Sequence, residues 1–222
     1  MCNRASFLAA ATVLLCGWLL GCGAWPLGRV AGSGTAATAT RDVGGFTQIE
    51  FLGTGRVEVT IGDLQPLELT GDDNILPLIQ TQVSGGKLFV RPTRSFLPKQ
   101  PLVVRATVPN LAAIVLTGAG EIVVTGLDND GFQATVTGAG TLTLSGQTAS
   151  LVVTITGAGS ADTANLAASA ATVNVSGAGS TTVHAADTLD VTIEGVGSVT
   201  YSGDPVVTQH ISGLGTLQKA GG

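Results

Sequence analysis

The sequence predicts an all-β protein built as a solenoid, a parallel β-helix with coils of about 18–20 residues and an irregular N-terminal cap. Three observations predict it. Six Gly-x-Gly units recur in the second half of the chain, their first glycines 20, 19, 20, 18 and 18 residues apart. The residues around each unit alternate between apolar and polar, the period of a half-buried strand. No repeat is long enough to hold a crossover helix beside its strands, so each must stack on its neighbours to bury its apolar face.

The repeat units are Gly118-Ala119-Gly120, Gly138-Ala139-Gly140, Gly157-Ala158-Gly159, Gly177-Ala178-Gly179, Gly195-Val196-Gly197 and Gly213-Leu214-Gly215. Two positions before each unit stands an apolar residue: Leu116, Val136, Ile155, Val175, Ile193 and Ile211. The next position reads Thr117, Thr137, Thr156, Ser176, Glu194 and Ser212, which belongs on the opposite face. After the second glycine the alternation resumes, with Ile122, Leu142, Ala161, Thr181, Val199 and Leu217 forming a second inward column. Each repeat is thus strand, glycine bend, strand, and then a turn such as Asp128-Asn129-Asp130-Gly131 or Ser202-Gly203-Asp204-Pro205. A β-sandwich or an antiparallel meander also uses short strands and regular turns, but near-identical columns favour the helix.

Residues 40–109 follow the same grammar less regularly. Gly53-Thr54-Gly55 is a seventh unit, and Leu67-Glu68-Leu69-Thr70-Gly71 resembles a degenerate one. Terminal repeats must cap an open edge and are expected to be atypical. This half is therefore expected to be cap and first coils of a single domain spanning 40–222.

Composition narrows the function. Charged residues are 11 % of 222 and aromatics 4 %, with 32 glycines and a mean hydropathy of +0.44. A formal net charge of −5 offers no attraction to nucleic-acid phosphates, so no nucleic-acid partner is expected. The three cysteines, Cys2, Cys16 and Cys22, all precede the repeats, which excludes a disulfide framework or thiolate chemistry in the body.

The N-terminus has Arg4 followed by an apolar run from Phe7 to Leu20, shorter than the roughly 20 residues of a spanning helix and of the length found in export signals. It ends in Leu19-Leu20-Gly21-Cys22, which resembles the lipobox of bacterial lipoproteins; Cys16, preceded by Leu15, does not fit. The expected organisation is a signal peptide over 1–21, then Cys22 acylated and held in a membrane, with 22–39 as a flexible Gly/Ala/Ser/Thr tether.

The body also resembles a known family. Phe46-Thr47-Gln48-Ile49, Val108-Pro109-Asn110-Leu111 leading into Leu116-Thr117-Gly118-Ala119-Gly120, the Gly-Ala-Gly array, and Tyr201-Ser202-Gly203-Asp204-Pro205 are similar to the bacterial GIN domain, named as an auto-transporter adhesin head and otherwise a domain of unknown function. The resemblance covers roughly residues 40–217. It implies a right-handed parallel β-helix in a cell-envelope setting and carries over no catalytic residues.

Candidate sites are sparse. A Gly-x-Gly cradle for phosphate needs a following helix N-terminus, and strands follow here. His184 and His210 lie on separate, largely polar columns, where a pairing with Asp187 or Asp190 lacks an oriented nucleophile. Asp128-Asn129-Asp130-Gly131 and Asp72-Asp73-Asn74 gather oxygen donors that Ca²⁺ could use, but these residues are equally the favoured turn formers, and no metal or cofactor is expected. Lys87, Arg91, Arg94, Lys99 and Arg105 form an acid-free stretch among Pro92, Pro98 and Pro101, suited to protecting a sheet edge or to meeting acidic glycans or lipid headgroups. The expectation is a non-enzymatic envelope lipoprotein presenting a structural or adhesive module to a cell-surface glycan or protein. The alternative is a glycan-binding or glycan-cleaving β-helix enzyme, which would need a groove of acids and bases that the Thr, Ser and Ala columns do not provide.

Overall fold

The computed structural model describes residues 28–221; the expected signal peptide over 1–21 and Cys22 lie outside the described residues. The described chain is nearly all β and winds into a β-solenoid of about five turns. Its first half contains β1 (Val30–Ala31), β2 (Ala36–Arg41), β3 (Gln48–Gly53), β4 (Arg56–Ile61), β5 (Leu67–Asp72), β6 (Ile79–Ser84), β7 (Lys87–Pro92), β8 (Phe96–Leu97) and β9 (Val103–Val108), with a short 3-10 turn over Leu76–Leu78. The array follows as β10 (Ala113–Gly118), β11 (Glu121–Gly138), β12 (Thr141–Gly157), β13 (Ser160–Gly177), β14 (Ser180–Gly195), β15 (Ser198–Ser202), β16 (Val206–Gly213) and β17 (Thr216–Lys219).

Successive array strands pair in parallel, in the register set by the glycines. Gly118 lies beside Gly138, Gly138 beside Gly157, Gly157 beside Gly177, and so on through Gly195 to Gly213. Gly53 of the seventh unit joins this column through its pairing with Gly118. Leu116, Val136, Ile155, Val175 and Ile193 stack in one buried column, as do Ile122, Leu142, Ala161, Thr181 and Val199. Thr137 and Thr156, one residue along from the first column, are exposed. A one-residue slip would turn every apolar column outward, so the pattern holds the register.

The coils do not stack in sequence order. The β3–β4 coil lies between the array and the cap: β3 pairs with β10 on one side and β7 on the other, and β4 pairs with β11 and β9. The chain therefore runs outward from its first coil, builds the cap over 67–108, and returns at Ala113 to start the array on the opposite side. Hydrophobic pattern alone is blind to this reversal, because a coil presents the same apolar columns to both neighbours.

Three local expectations need correction. The segment 22–39 is not all tether: β1 pairs with β8, β2 pairs antiparallel with β5, and Val30, Ala37 and Ala39 pack against the core. Alternation of small residues was hidden there in a linker-like composition. Leu67–Gly71 is not a degenerate repeat, since β5 runs antiparallel to both β2 and β9. Asp128–Gly131 is not a turn that interrupts the coil: β11 continues through it, with Asp128 beside Gln147, Asn129 beside Thr148 and Gly131 beside Ser150.

Reversing the polarity of one core position tests this register. Ile155→Asp places a carboxylate in a fully buried column and should cost about 4 kcal/mol or more, whereas Thr156→Asp on the exposed face should cost under about 1 kcal/mol. Denaturant titration of both variants measures the difference; equal costs contradict the register.

Candidate functional site

The glycine bend is the most repeated local structure, and its two glycines serve different needs. Gly157 has a φ of +115°, and a Cβ on it would lie 2.7 Å from the Gly138 carbonyl oxygen of the coil below. Gly159 is buried, and a Cβ there would lie 2.6 Å from Cγ1 of Val136 and 2.9 Å from the Gly140 oxygen. The first glycine thus permits the backbone turn, and the second lets one coil's bend rest on the apolar column of the coil below. Backbone hydrogen bonds continue through the bend, with Ala158 N–H donating to Gly138 at 2.8 Å and Ser160 N–H to Gly140 at 2.9 Å. The middle residues, Ala119, Ala139, Ala158 and Ala178, stand outward and exposed, and the ridge ends in Val196 and Leu214.

The cap is held by an acidic clasp. Asp72 is completely buried. Its carboxylate accepts N–H bonds from Gly34 (2.7 Å), Lys99 (2.8 Å) and Gln100 (3.0 Å), which joins three distant segments of chain. Burial opposes the charge, but the donors from Gln100, Gly34 and Lys99, with the Lys99 charge, outweigh it and hold the carboxyl below its ordinary pKa. Asp73 accepts the Ser33 hydroxyl at 2.5 Å; Asn74 accepts the Ser33 N–H and donates to the Ala31 carbonyl. Both Asp72 oxygens, Oδ1 of Asp73 and the Asn74 amide oxygen thus accept from protein donors. Arg41 caps the cap's outer strand, donating to the carbonyls of Ile79 and Leu76 and to the Thr81 hydroxyl.

The second oxygen-rich stretch is likewise engaged. Asn129 donates to the Leu111 carbonyl at 2.7 Å and accepts from the buried Thr148 hydroxyl at 2.7 Å, while Asp128 accepts from Gln147 at 3.0 Å. Among the described residues no group of three or more acidic, His or Cys side chains is placed to hold a metal.

The basic stretch is divided by the fold. Arg105 pairs with Glu58 at 3.0 Å and Glu68 at 2.8 Å; Lys87 pairs with Glu50 at 3.2 Å. Arg91 donates to Gln80, while Arg94 and Lys99 are exposed. The acids come from other strands, so the acid-free stretch is not an acid-free surface. The edge it was expected to protect belongs to β6, which covers β7. His184 Nδ1 lies 2.9 Å from Ser202 Oγ, beside its paired strand β15. His210 pairs with Thr192 on β16, exposed and away from His184, so the fold does not join the two.

The family model described as "Putative auto-transporter adhesin, head GIN domain" matches residues 45–205, and the chain belongs to that family. Among solved structures, a "putative adhesin" from Bacteroides fragilis NCTC 9343 is similar with a TM-score of 0.70 and 24 % identity, covering 86 % of this chain and 99 % of its own. A "putative lipid binding protein" from Parabacteroides distasonis ATCC 8503 has a TM-score of 0.59 and 20 % identity, covering 87 % and 100 %. A "putative adhesin" from Parabacteroides merdae ATCC 43184 has a TM-score of 0.59 and 18 % identity, covering 86 % and 99 %. At these identities the likeness establishes the fold. A search of curated proteins finds no match. No helix among the described residues is long and apolar enough to cross a membrane.

Two tests follow from this geometry. Gly157→Ala and Gly159→Ala should each cost about 1–3 kcal/mol by strain or overpacking, while Ala158→Ser between them should stay within about 0.5 kcal/mol; thermal denaturation ranks the three. For Asp72, the lowered pKa means that its stabilisation is complete above the unfolded carboxyl pKa of about 3.9 and is lost as pH falls through the folded value. Hydrogen exchange of residues 30–41 should therefore accelerate in acid. In Asp72→Ala the same amides should be fast already at pH 7, with the acid-dependent step diminished.

Proposed function

We propose that this chain is a non-enzymatic lipoprotein of the cell envelope whose rigid solenoid serves as a structural or adhesive interaction module. The observation that carries the proposal is the combination of a hydrogen-bonded rod with outward faces of Thr, Ser and Ala. In its oxygen-rich clusters Asp72, Asn74 and Asn129 hold backbone, and its two histidines lie apart. Catalysis on glycans requires an acid and a base converging on one bond, whereas adhesion requires an ordered surface at low conformational cost. Membership of an adhesin-head family supports the same reading.

Cys22 is proposed as the acylated residue, which would set the cap of the rod towards the membrane, since β1 begins only eight residues later, at Val30. Cys22→Ser should move the protein from the membrane fraction to the soluble fraction or leave an unprocessed precursor, with loss of metabolic palmitate labelling. Persistent labelling contradicts the anchor. Binding of the purified chain to cell-wall or capsular glycans supports the adhesive role, and cleavage of any of them would overturn the non-enzymatic one.

A further inference from the structure

Charge is divided along the rod. Residues 28–108 carry eight Lys and Arg against seven Asp and Glu, whereas 113–217 carry eight Asp and Glu and no Lys or Arg. Within the cap the cations divide again. Arg56, Lys87 and Arg105 are engaged by Glu50, Glu58, Glu68 and Glu121, and Arg41 by the carbonyls of Leu76 and Ile79. Among the described residues, Arg29, Arg91, Arg94 and Lys99 have no acidic side chain within ion-pair distance.

These four cations surround one small element. β1 and β8 form a two-stranded ribbon of their own, apart from the main ladder, with Val30 beside Phe96 and Ala31 beside Leu97. Val30 and Phe96 pack against the core, while Ala31 and Leu97 are exposed, Leu97 by 58 %. Val30 N–H donates to the Ser95 carbonyl, so Arg29 and Arg94 stand at one end of the ribbon. Lys99 stands at the other end, where a Cβ on Gly34 would lie 3.5 Å from its Cδ. Arg91 lines the same crevice as Phe96 and Leu52. Asp72 and Asp73 lie at the Lys99 end, the first buried among N–H donors and the second accepting the Ser33 hydroxyl. Four cations against these two acids leave the face positive.

We infer that this ribbon is the surface by which the rod docks on an anionic lipid bilayer, its cations meeting headgroup phosphates and Leu97 entering between them. The geometry rests on the lipid-anchor reading. Arg29 follows Cys22 by seven residues, at most about 25 Å of extended chain, so acylation would hold the ribbon within reach of the headgroups. Each cation near an anionic leaflet strengthens attachment by about fivefold. The array carries only repelled charge: β14 lies six strands from β7 along the ladder, about 29 Å at the usual spacing and beyond the ~8 Å screening length of physiological salt. The division of charge thus gives the rod a direction, ribbon on the membrane and array standing away from it, which a flexible acyl tether alone does not supply.

The full-length chain carrying Cys22→Ser has no acyl group at that position, so its vesicle binding and the palmitate labelling of Cys22 fail separately. It should bind phosphatidylcholine vesicles containing phosphatidylglycerol more tightly than phosphatidylcholine alone. Phe7–Leu20 is common to every variant and both vesicles, so the ratio between the two is the readout. Adding Arg29→Gln, Arg94→Gln and Lys99→Gln should lower that ratio about tenfold or more while circular dichroism retains the β signal. Restoring the net charge on β14 with Asp187→Asn, Asp190→Asn and Glu194→Gln should not restore the ratio. Hydrogen exchange on the anionic vesicles should slow over residues 29–34 and 93–100 and stay unchanged over 160–200. Equal binding to both vesicles, a ratio indifferent to the three Gln changes, or recovery through β14 overturns the inference. Binding to polygalacturonate as tight as to the anionic vesicles, lost with the same three changes, would assign the face to acidic glycans and overturn the membrane assignment.

Discussion

Close backbone approach at the glycine bends is the constraint on which the rest of the solenoid depends. Parallel strands in a ladder sit about 4.8 Å apart, and at the bend that distance leaves no room for a Cβ, as the positions of Gly157 and Gly159 against Gly138, Gly140 and Val136 make plain. Because the bends are glycine, hydrogen bonding runs through them unbroken and successive coils superimpose. Once they superimpose, like residues fall on like: valine on isoleucine inside, threonine on threonine outside. Apolar columns built from Val, Ile, Leu and Ala then bury their surface with few aromatics, which explains how a chain with 4 % aromatic residues supports a continuous core.

Repetition solves the middle of the rod and leaves its ends unsolved. The cap answers with irregularity: antiparallel strands, a buried carboxylate that gathers N–H groups from Gly34, Lys99 and Gln100, and a guanidinium laid over open carbonyls. Its strands come from both sides of the first coil in sequence, so the cap and the array share that coil as a common foundation. Such a topology pairs strands far apart in sequence, the kind of non-local pairing that slows β folding. The opposite end keeps the regular coil, with β16 on β14 and β17 on β15.

The surface follows from the same stacking. Acidic and basic residues distant in sequence are brought together where strands align. Glu58 lies within ion-pair distance of both Arg56 and Arg105, and Arg56 also reaches Glu121. These pairs are half exposed, so solvent screening leaves each only a small contribution to stability. Their effect is chiefly to neutralise a stretch that reads as basic in isolation. The rod is left with ordered hydroxyls along its length and exposed apolar side chains in both halves, Leu64 and Leu97 in the first and Val206 and Leu214 in the second.

The periodicity of glycine and of apolar residues was enough by itself to determine the coil, its register and its two main inward columns, because all of these depend on residues within one repeat or on identical positions of adjacent repeats; the family was legible through its resemblance at particular motifs such as Phe46-Thr47-Gln48-Ile49 and Tyr201-Ser202-Gly203-Asp204-Pro205. What only tertiary structure decided are the contacts without a period. The placement of the first coil between cap and array, the strands β1 and β2 in a linker-like composition, and the conversion of Asp72-Asp73-Asn74 from a turn or cation site into a clasp all depend on segments that meet across more than 25 residues of chain. A repeat pattern reports which neighbour resembles which; it carries no information about a carboxylate whose partners are backbone N–H groups, since every residue but proline supplies one.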